Sequence, residues 1–163
     1  MLKLGKLTDY ATVLLATMAT APARLHSGQE LARGTAVASP TVAKLLKQLQ
    51  KGGLVQSVRG AQGGYRLSRL PALITVADVI RALEGPIAVT DCAVQGSCAI
   101  EQGCGIKAPF RLINAAITEA LEAVTLADMA RSLAAAPAQE FPLSFHPANS
   151  RTTGQVSSDV RRR

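Results

Sequence analysis

Five glycines between residues 52 and 64 limit what this chain can fold into more than any other feature. Gly52-Gly53 closes a run, Ser39 to Lys51, that is apolar on one side and polar on the other; paired glycines are a strong C-terminal stop for a helix. Arg59-Gly60-Ala61-Gln62-Gly63-Gly64 then separates two short segments with strand-like alternation, Leu54–Val58 and Tyr65–Ser68. Alternating runs around a glycine-rich interval read as a hairpin. Pro71 ends the unit. The interval is not a phosphate-binding loop, because it lacks the Lys-Ser/Thr ending and lies between strands.

The segments upstream read as two further helices. Tyr10, Val13, Leu14, Thr17 and Met18 keep the 3–4 spacing of one buried face, which predicts a helix over 8–20 with Thr8 as N-cap. Ala21-Pro22-Ala23 ends it. A short helix is expected from Ser27 or Gly28 through Arg33, broken by Gly34. The next opens at Ser39 as N-cap with Pro40 in the first helical position, and buries Val42, Leu45, Leu46 and Leu49. Helix, break, helix, hairpin is the order of a winged helix–turn–helix. A helical bundle with a packing hairpin is the plainer reading of that order.

Downstream, Thr75 is expected to cap a helix from Val76 to Leu83, with Asp78 in its first turn and Gly85-Pro86 as its stop. Residues 91–105 are polar and glycine-rich and read as a loop. A longer helix is predicted from about Pro109 to Val124. Its stripe of Ile113, Ala116, Ile117, Ala120, Leu121 and Val124 suits packing against a second copy or against the first helix. Thr125 starts a last helix through Leu133. Residues 134–163, rich in Ala, Pro, Ser and Arg, are expected to be disordered. The fold class is therefore mainly α: a winged helix–turn–helix over 1–72 with a two-stranded wing, then a loop and a long helix over 73–133, and a tail over 134–163. No internal repeat is evident.

Charge narrows the class of partner. Residues 1–70 carry ten Lys/Arg against two Asp/Glu, whereas 71–133 carry four against seven. A basic excess confined to one half suits a phosphate backbone or an anionic surface; a solvated face kept for solubility is the alternative. Ser39, Thr41, Lys44, Lys47 and Gln48 are the candidate DNA-contacting residues of the third helix, whose N-terminal part would lie near base edges. Arg59, on a slim hairpin tip, suits a narrow and strongly negative minor groove. No window reaches the roughly 18 apolar residues of a membrane span. The N-terminus lacks a signal-peptide core, and a cytoplasmic protein without a membrane partner is expected. No paired acid–base groups, nucleophile constellation or cofactor loop is evident, so an enzyme is not expected.

All three cysteines, Cys92, Cys98 and Cys104, fall in the glycine-rich loop at equal spacing. In a reducing compartment such a group points to metal or redox chemistry, and the odd count argues against a disulfide framework. Thiolates select zinc, copper(I) or iron–sulfur clusters, and the CxxC pairs of structural zinc sites are absent. Three unrelated thiols are the plainer alternative. His26 and His146 read as ordinary surface histidines.

With these residues named, residues 1–133 resemble the IscR/NsrR type of regulator, often called the Rrf-two family. The resemblance rests on Leu54-Val55, Val58-Arg59-Gly60, Gly63-Gly64-Tyr65, Val79-Ile80 and the three cysteines. Within the family it points to regulators of SUF iron–sulfur assembly genes in gammaproteobacteria. The resemblance implies a winged-helix homodimer joined through the long helix after the loop, on a pseudo-palindromic double-stranded DNA operator. It also implies an iron–sulfur cluster on Cys92, Cys98 and Cys104, 2Fe–2S in preference to 4Fe–4S, in a regulator expected to repress. Relatives of the IscR kind carry a histidine ligand three residues after the last cysteine; Lys107 stands there instead. NsrR-like members draw a carboxylate from the partner's first helix, and the matching residue is Asp9, a candidate fourth ligand. A helix N-terminal acid held by the dipole is the other reading of Asp9. A cluster-free member that senses oxidants through its thiols is the alternative function.

Overall fold

The computed structural model describes residues 4–60, 62–90 and 104–135. Their order is α1 (Lys6–Ala19), α2 (Gly28–Thr35), α3 (Ser39–Lys51), β1 (Val55–Val58), β2 (Gly64–Leu67), a 3₁₀ turn (Pro71–Leu73), α4 (Val76–Leu83), α5 (Lys107–Glu122) and α6 (Leu126–Ala135). One core joins them. Leu14, Leu15 and Met18 of α1 meet Leu31 of α2, the Val42/Leu45/Leu46/Leu49 stripe of α3, Leu54 and Val55 at the wing, Ile74, Val79 of α4 and Leu126 of α6. The α3 stripe is fully buried, as its periodicity predicts.

Local chemistry fixes the element ends, not always as expected. Ser27 Oγ accepts from Glu30 N at 3.1 Å and caps α2. Gly34 does not break that helix, which runs on to Thr35 and turns at Ala36, a left-handed residue with φ 54°. One interior glycine costs only about 1 kcal/mol, too little to outweigh the burial of Leu31 and Ala32. Ser39 is the first residue of α3, not its cap; Ala38 takes the cap position without a side-chain bond.

Thr8 is not the N-cap of α1 either. The helix starts at Lys6 with Gly5 as cap. Glu84, at the end of α4, accepts from Gly5 N at 2.8 Å and from the Thr8 hydroxyl. A carboxylate borrowed from another helix thus satisfies the orphan donor and faces the positive end of the α1 dipole.

The wing is an antiparallel pair with Val55 opposite Leu67 and Val58 opposite Gly64. His26 adds a rudimentary third strand: His26 N donates to Tyr65 O at 2.9 Å and Tyr65 N to His26 O at 2.8 Å. His26 is therefore buried, at 5% exposure, and not on the surface as its residue type suggested. Its ring Nε2 lies 3.2 Å from Ala21 O.

Two matching caps join the halves. Thr75 and Asp78 form a capping box at α4, and Thr125 and Asp128 form the same reciprocal bonds at α6. The two segments also pair with each other, Val76 N donating to Val124 O at 3.0 Å and Leu126 N to Ile74 O at 2.9 Å. The sequence carries the same capping pattern twice, Thr75-Val76-Ala77-Asp78 with Arg81 and Thr125-Leu126-Ala127-Asp128 with Arg131.

Candidate nucleic-acid interface and cysteine loop

The α2–turn–α3 unit presents one face of α3 outward. Ser39, Pro40, Ala43, Lys44, Lys47, Gln50 and Lys51 are exposed, and Thr41 is half-buried. Lys44, Lys47 and Lys51 follow the spacing of one helical face. Lys51 and Gln50 are not among the candidates named from sequence, although that spacing from Lys44 points to them. Gln50 Nε2 donates to Ser57 Oγ at 3.1 Å and ties α3 to the wing. Gln48 differs from expectation: it is half-buried, and its Oε1 is buried with no partner among the described residues. Its carbonyl faces the fold, not the exposed face.

Arg59 leaves the end of β1 fully on the surface. Gly60, with φ 125°, makes the turn, and Gly63 N closes it on Gly60 O at 2.9 Å. Arg24 is paired with Glu30 at 2.7 Å and Arg69 with Asp78 at 3.3 Å. Among the described residues Lys44, Lys47, Lys51 and Arg59 take part in no ion pair. They form a basic surface over α3 and the wing that can neutralise phosphates without first breaking an internal pair.

Cys92 and Cys98 lie outside the described residues. Cys104 is half-buried, immediately before α5, where its carbonyl accepts from Lys107 N at 3.3 Å. Asp9 is exposed in the first turn of α1. Among the described residues no three His, Cys, Asp or Glu side chains gather to hold a metal. The donor set as a whole, three soft thiolates in one short loop, suits an iron–sulfur cluster. Both flanks of that loop are fastened to α5. Cys104 runs directly into it, and Val89 N donates to Asn114 Oδ1 at 3.0 Å.

Helix α5 buries none of its residues in this chain. Ile117 and Leu121 are half-buried, and α5 packs mainly on α4, not on α1. Leu112, Ile113, Ala116, Ala120 and Val124 remain exposed, with Leu112 at 72%. Arg81 of α4 reaches Glu122 of α5 at 2.5 Å and Asp78 at 3.8 Å.

A helix–turn–helix with a wing and an outward basic face defines the class: a winged-helix protein of the kind that binds DNA. The chain belongs to the Rrf2 family, described as iron-dependent transcriptional regulators, which matches residues 4–132. It is 33% identical over 133 residues to protein aau3 of Rhizobium meliloti (strain 1021), covering 80% of this chain and 86% of that protein. CymR (YrzC), the global cysteine regulator of B. subtilis, has a similar structure: TM-score 0.65, 31% identity, 81% of this chain and 98% of that one. T. potens IscR superposes with a TM-score of 0.62 at 32% identity, over 81% of this chain and 88% of that one. The winged-helix fold read from the sequence is thus the fold observed, and the chain is a transcriptional regulator of this family.

Proposed function

We propose that this regulator is a homodimer that represses iron–sulfur assembly genes of the SUF type and reports on a cluster held by Cys92, Cys98 and Cys104, with Asp9 of a second copy as fourth ligand. When bound, a 2Fe–2S cluster would supply a group that oxidants, nitric oxide or iron limitation can remove. Lys107 cannot replace a histidine ligand while protonated, which leaves the carboxylate as the candidate. The cytoplasm, where thiols stay reduced, is the compartment this chemistry requires.

One observation carries the reading: the cysteine loop is fastened to α5 at both flanks, and α5 is ion-paired to α4. From α4 the path to the DNA face is short. A Cβ on Gly52, at the end of α3, would lie 2.6 Å from Ala82 Cβ of α4, so the two helices touch without slack. The exposed Leu112, Ile113 and Ala116 of α5 supply an apolar seam for the second copy. Two copies would set two α3 helices about one DNA turn apart on a pseudo-palindromic operator, with Ser39, Thr41, Lys44 and Lys47 at the major groove and Arg59 at the minor groove. To act as a switch, the loaded and empty forms must differ by about 1–3 kcal/mol in operator binding.

The test is an oxygen-free operator-binding assay on protein whose iron and sulfide have been measured. Equal affinity for loaded and stripped protein would overturn the sensing reading. The likeness to CymR, a cysteine regulator, favours a second reading, in which the thiols act without a cluster. A colourless protein holding no iron or sulfide after anaerobic reconstitution would select it.

A further inference from the structure

An apolar groove of about 490 Å³ runs between the end of α1, the 3₁₀ turn and α6. Ala19, Leu70, Pro71, Ala127, Ala130 and Ala134 line it, and Leu70 is 68% exposed. None of the α3 lysines, Arg59 or the exposed residues of the α5 seam lines it. We propose that the groove binds this chain's own segment Phe141-Pro142-Leu143-Ser144-Phe145.

The position of the segment is the first argument. Helix α6 is described to Ala135, and Ala134 already lines the groove, so the described chain ends at the groove's edge with 28 further residues to follow. Pro137 has no N–H for a further helical turn and disfavours helix at the residue before it. Five residues separate Ala135 from Phe141 and can span up to roughly 17 Å. The groove-lining stretch of α6, Ala127 to Ala134, is only about 10 Å long, so the segment can fold back along it.

Composition is the second argument. The chain has three phenylalanines, and two of them stand in this segment amid residues that are otherwise mostly small or polar. In an extended strand Phe141, Leu143 and Phe145 face one side, and Pro142 biases Phe141 toward that extended form. Charge agrees as well: Glu140 precedes the segment, and Arg131 at the groove edge keeps a side chain that is 75% exposed beside its pairing with Asp128. The proposal does not depend on what the cysteines bind.

The chain contains no tryptophan, so Phe141→Trp in the full-length protein gives an unambiguous reporter. Docking predicts blue-shifted indole emission and several-fold weaker acrylamide quenching than in the denatured chain, unchanged on dilution. Adding Leu70→Glu, at an already exposed position, should red-shift the emission and restore quenching. In a separate variant, Phe141→Asp with Phe145→Asp should speed amide exchange over residues 70–73. An indole as exposed as in denaturant would overturn the proposal. So would a buried indole indifferent to Leu70→Glu, or burial lost on dilution, which would mean a second copy is the occupant.

Discussion

The same chemical change, glycine to alanine, should have opposite signs at two positions. At Gly64 a Cβ would lie 2.8 Å from His26 O and 3.2 Å from His26 C, both backbone atoms that cannot swing aside. Ordinary contact requires the two chains to separate by about 0.5 Å, which takes the 2.9 and 2.8 Å bonds between His26 and Tyr65 to the edge of hydrogen-bonding range. Each such bond contributes roughly 0.5–1.5 kcal/mol net, so Gly64→Ala should cost about 2 kcal/mol. Gly34 sits in α2, and a methyl added there would meet nothing within 4 Å. Gly34→Ala should therefore stabilise by roughly 0.5–1 kcal/mol, because the unfolded chain loses freedom. Urea unfolding followed by circular dichroism, at constant m, measures both. A Gly64→Ala midpoint equal to the parent's would refute the claim that His26 is a strand of the wing. Operator binding by the folded variant should weaken too, since the hairpin bearing Arg59 loses its anchorage.

Four further outcomes are expected. Arg59→Ala should weaken specific operator binding more than it shifts the urea midpoint; unchanged affinity would remove the wing from the interface. Lys44→Ala and Lys47→Ala should each reduce the slope of log affinity against log salt by about 1 if each contacts a phosphate, while leaving stability nearly untouched. Cys98→Ala should abolish the visible absorption of anaerobically reconstituted protein, and a persisting band would exclude Cys98 as a ligand. The Thr125 side-chain and backbone hydrogen bonds, with Arg131 nearby, hold the Asp128 carboxyl below its ordinary range. The stability this gives is present above the unfolded pKa, about 3.9, and is lost as pH falls through the lower folded value. Asp128→Asn should thus be less stable than the parent at neutral pH, with the gap closing in acid; thermal melts that keep a constant gap from pH 7 to pH 2 would contradict that.

Much of the fold is legible in the sequence where one residue type dictates one local outcome. The Val42/Leu45/Leu46/Leu49 stripe, the Gly52-Gly53 stop and the Thr75–Asp78 cap all follow from period and capping chemistry within a few residues. Several departures share one cause, a partner distant in sequence. Glu84 moves the start of α1 ahead of Thr8 from 76 residues away. Tyr65 turns His26 from a surface residue into a strand. The predicted stripe of α5 divides: Ile117 and Leu121 are half-buried in a helix that packs mainly on α4, while Ile113 and Ala116 stay open. Gln48 looks like a base-reading amide by type, yet the rotation of α3 against the core turns its carbonyl inward. Of the site residues, the exposure of Lys44, Lys47 and Arg59 is readable from amphipathicity and hairpin position.

The paired caps bear on how a change at the cysteine loop could reach DNA. Helix α5 is restrained at its middle and just past its end: Val89 is bonded to Asn114, midway along it, and the Thr75–Thr125 bridge follows its last turn. A helix restrained in this way cannot take up a displacement of Cys104 by fraying at its far end. Two outlets remain. One is the exposed Leu112–Ala120 seam, where a second copy would sense a rotation of α5. The other is the Arg81–Glu122 ion pair, which shares Arg81 with Asp78 and, through Asp78, reaches Arg69 at the base of the wing. Exposed ion pairs are individually weak, typically below about 1 kcal/mol. A signal of about 1–3 kcal/mol would therefore have to draw on packing as well, at the seam and where Ala82 of α4 meets Gly52 at the end of α3. On the proposed reading, a second copy seated on that seam would register the state of the thiolates beside the path through α4.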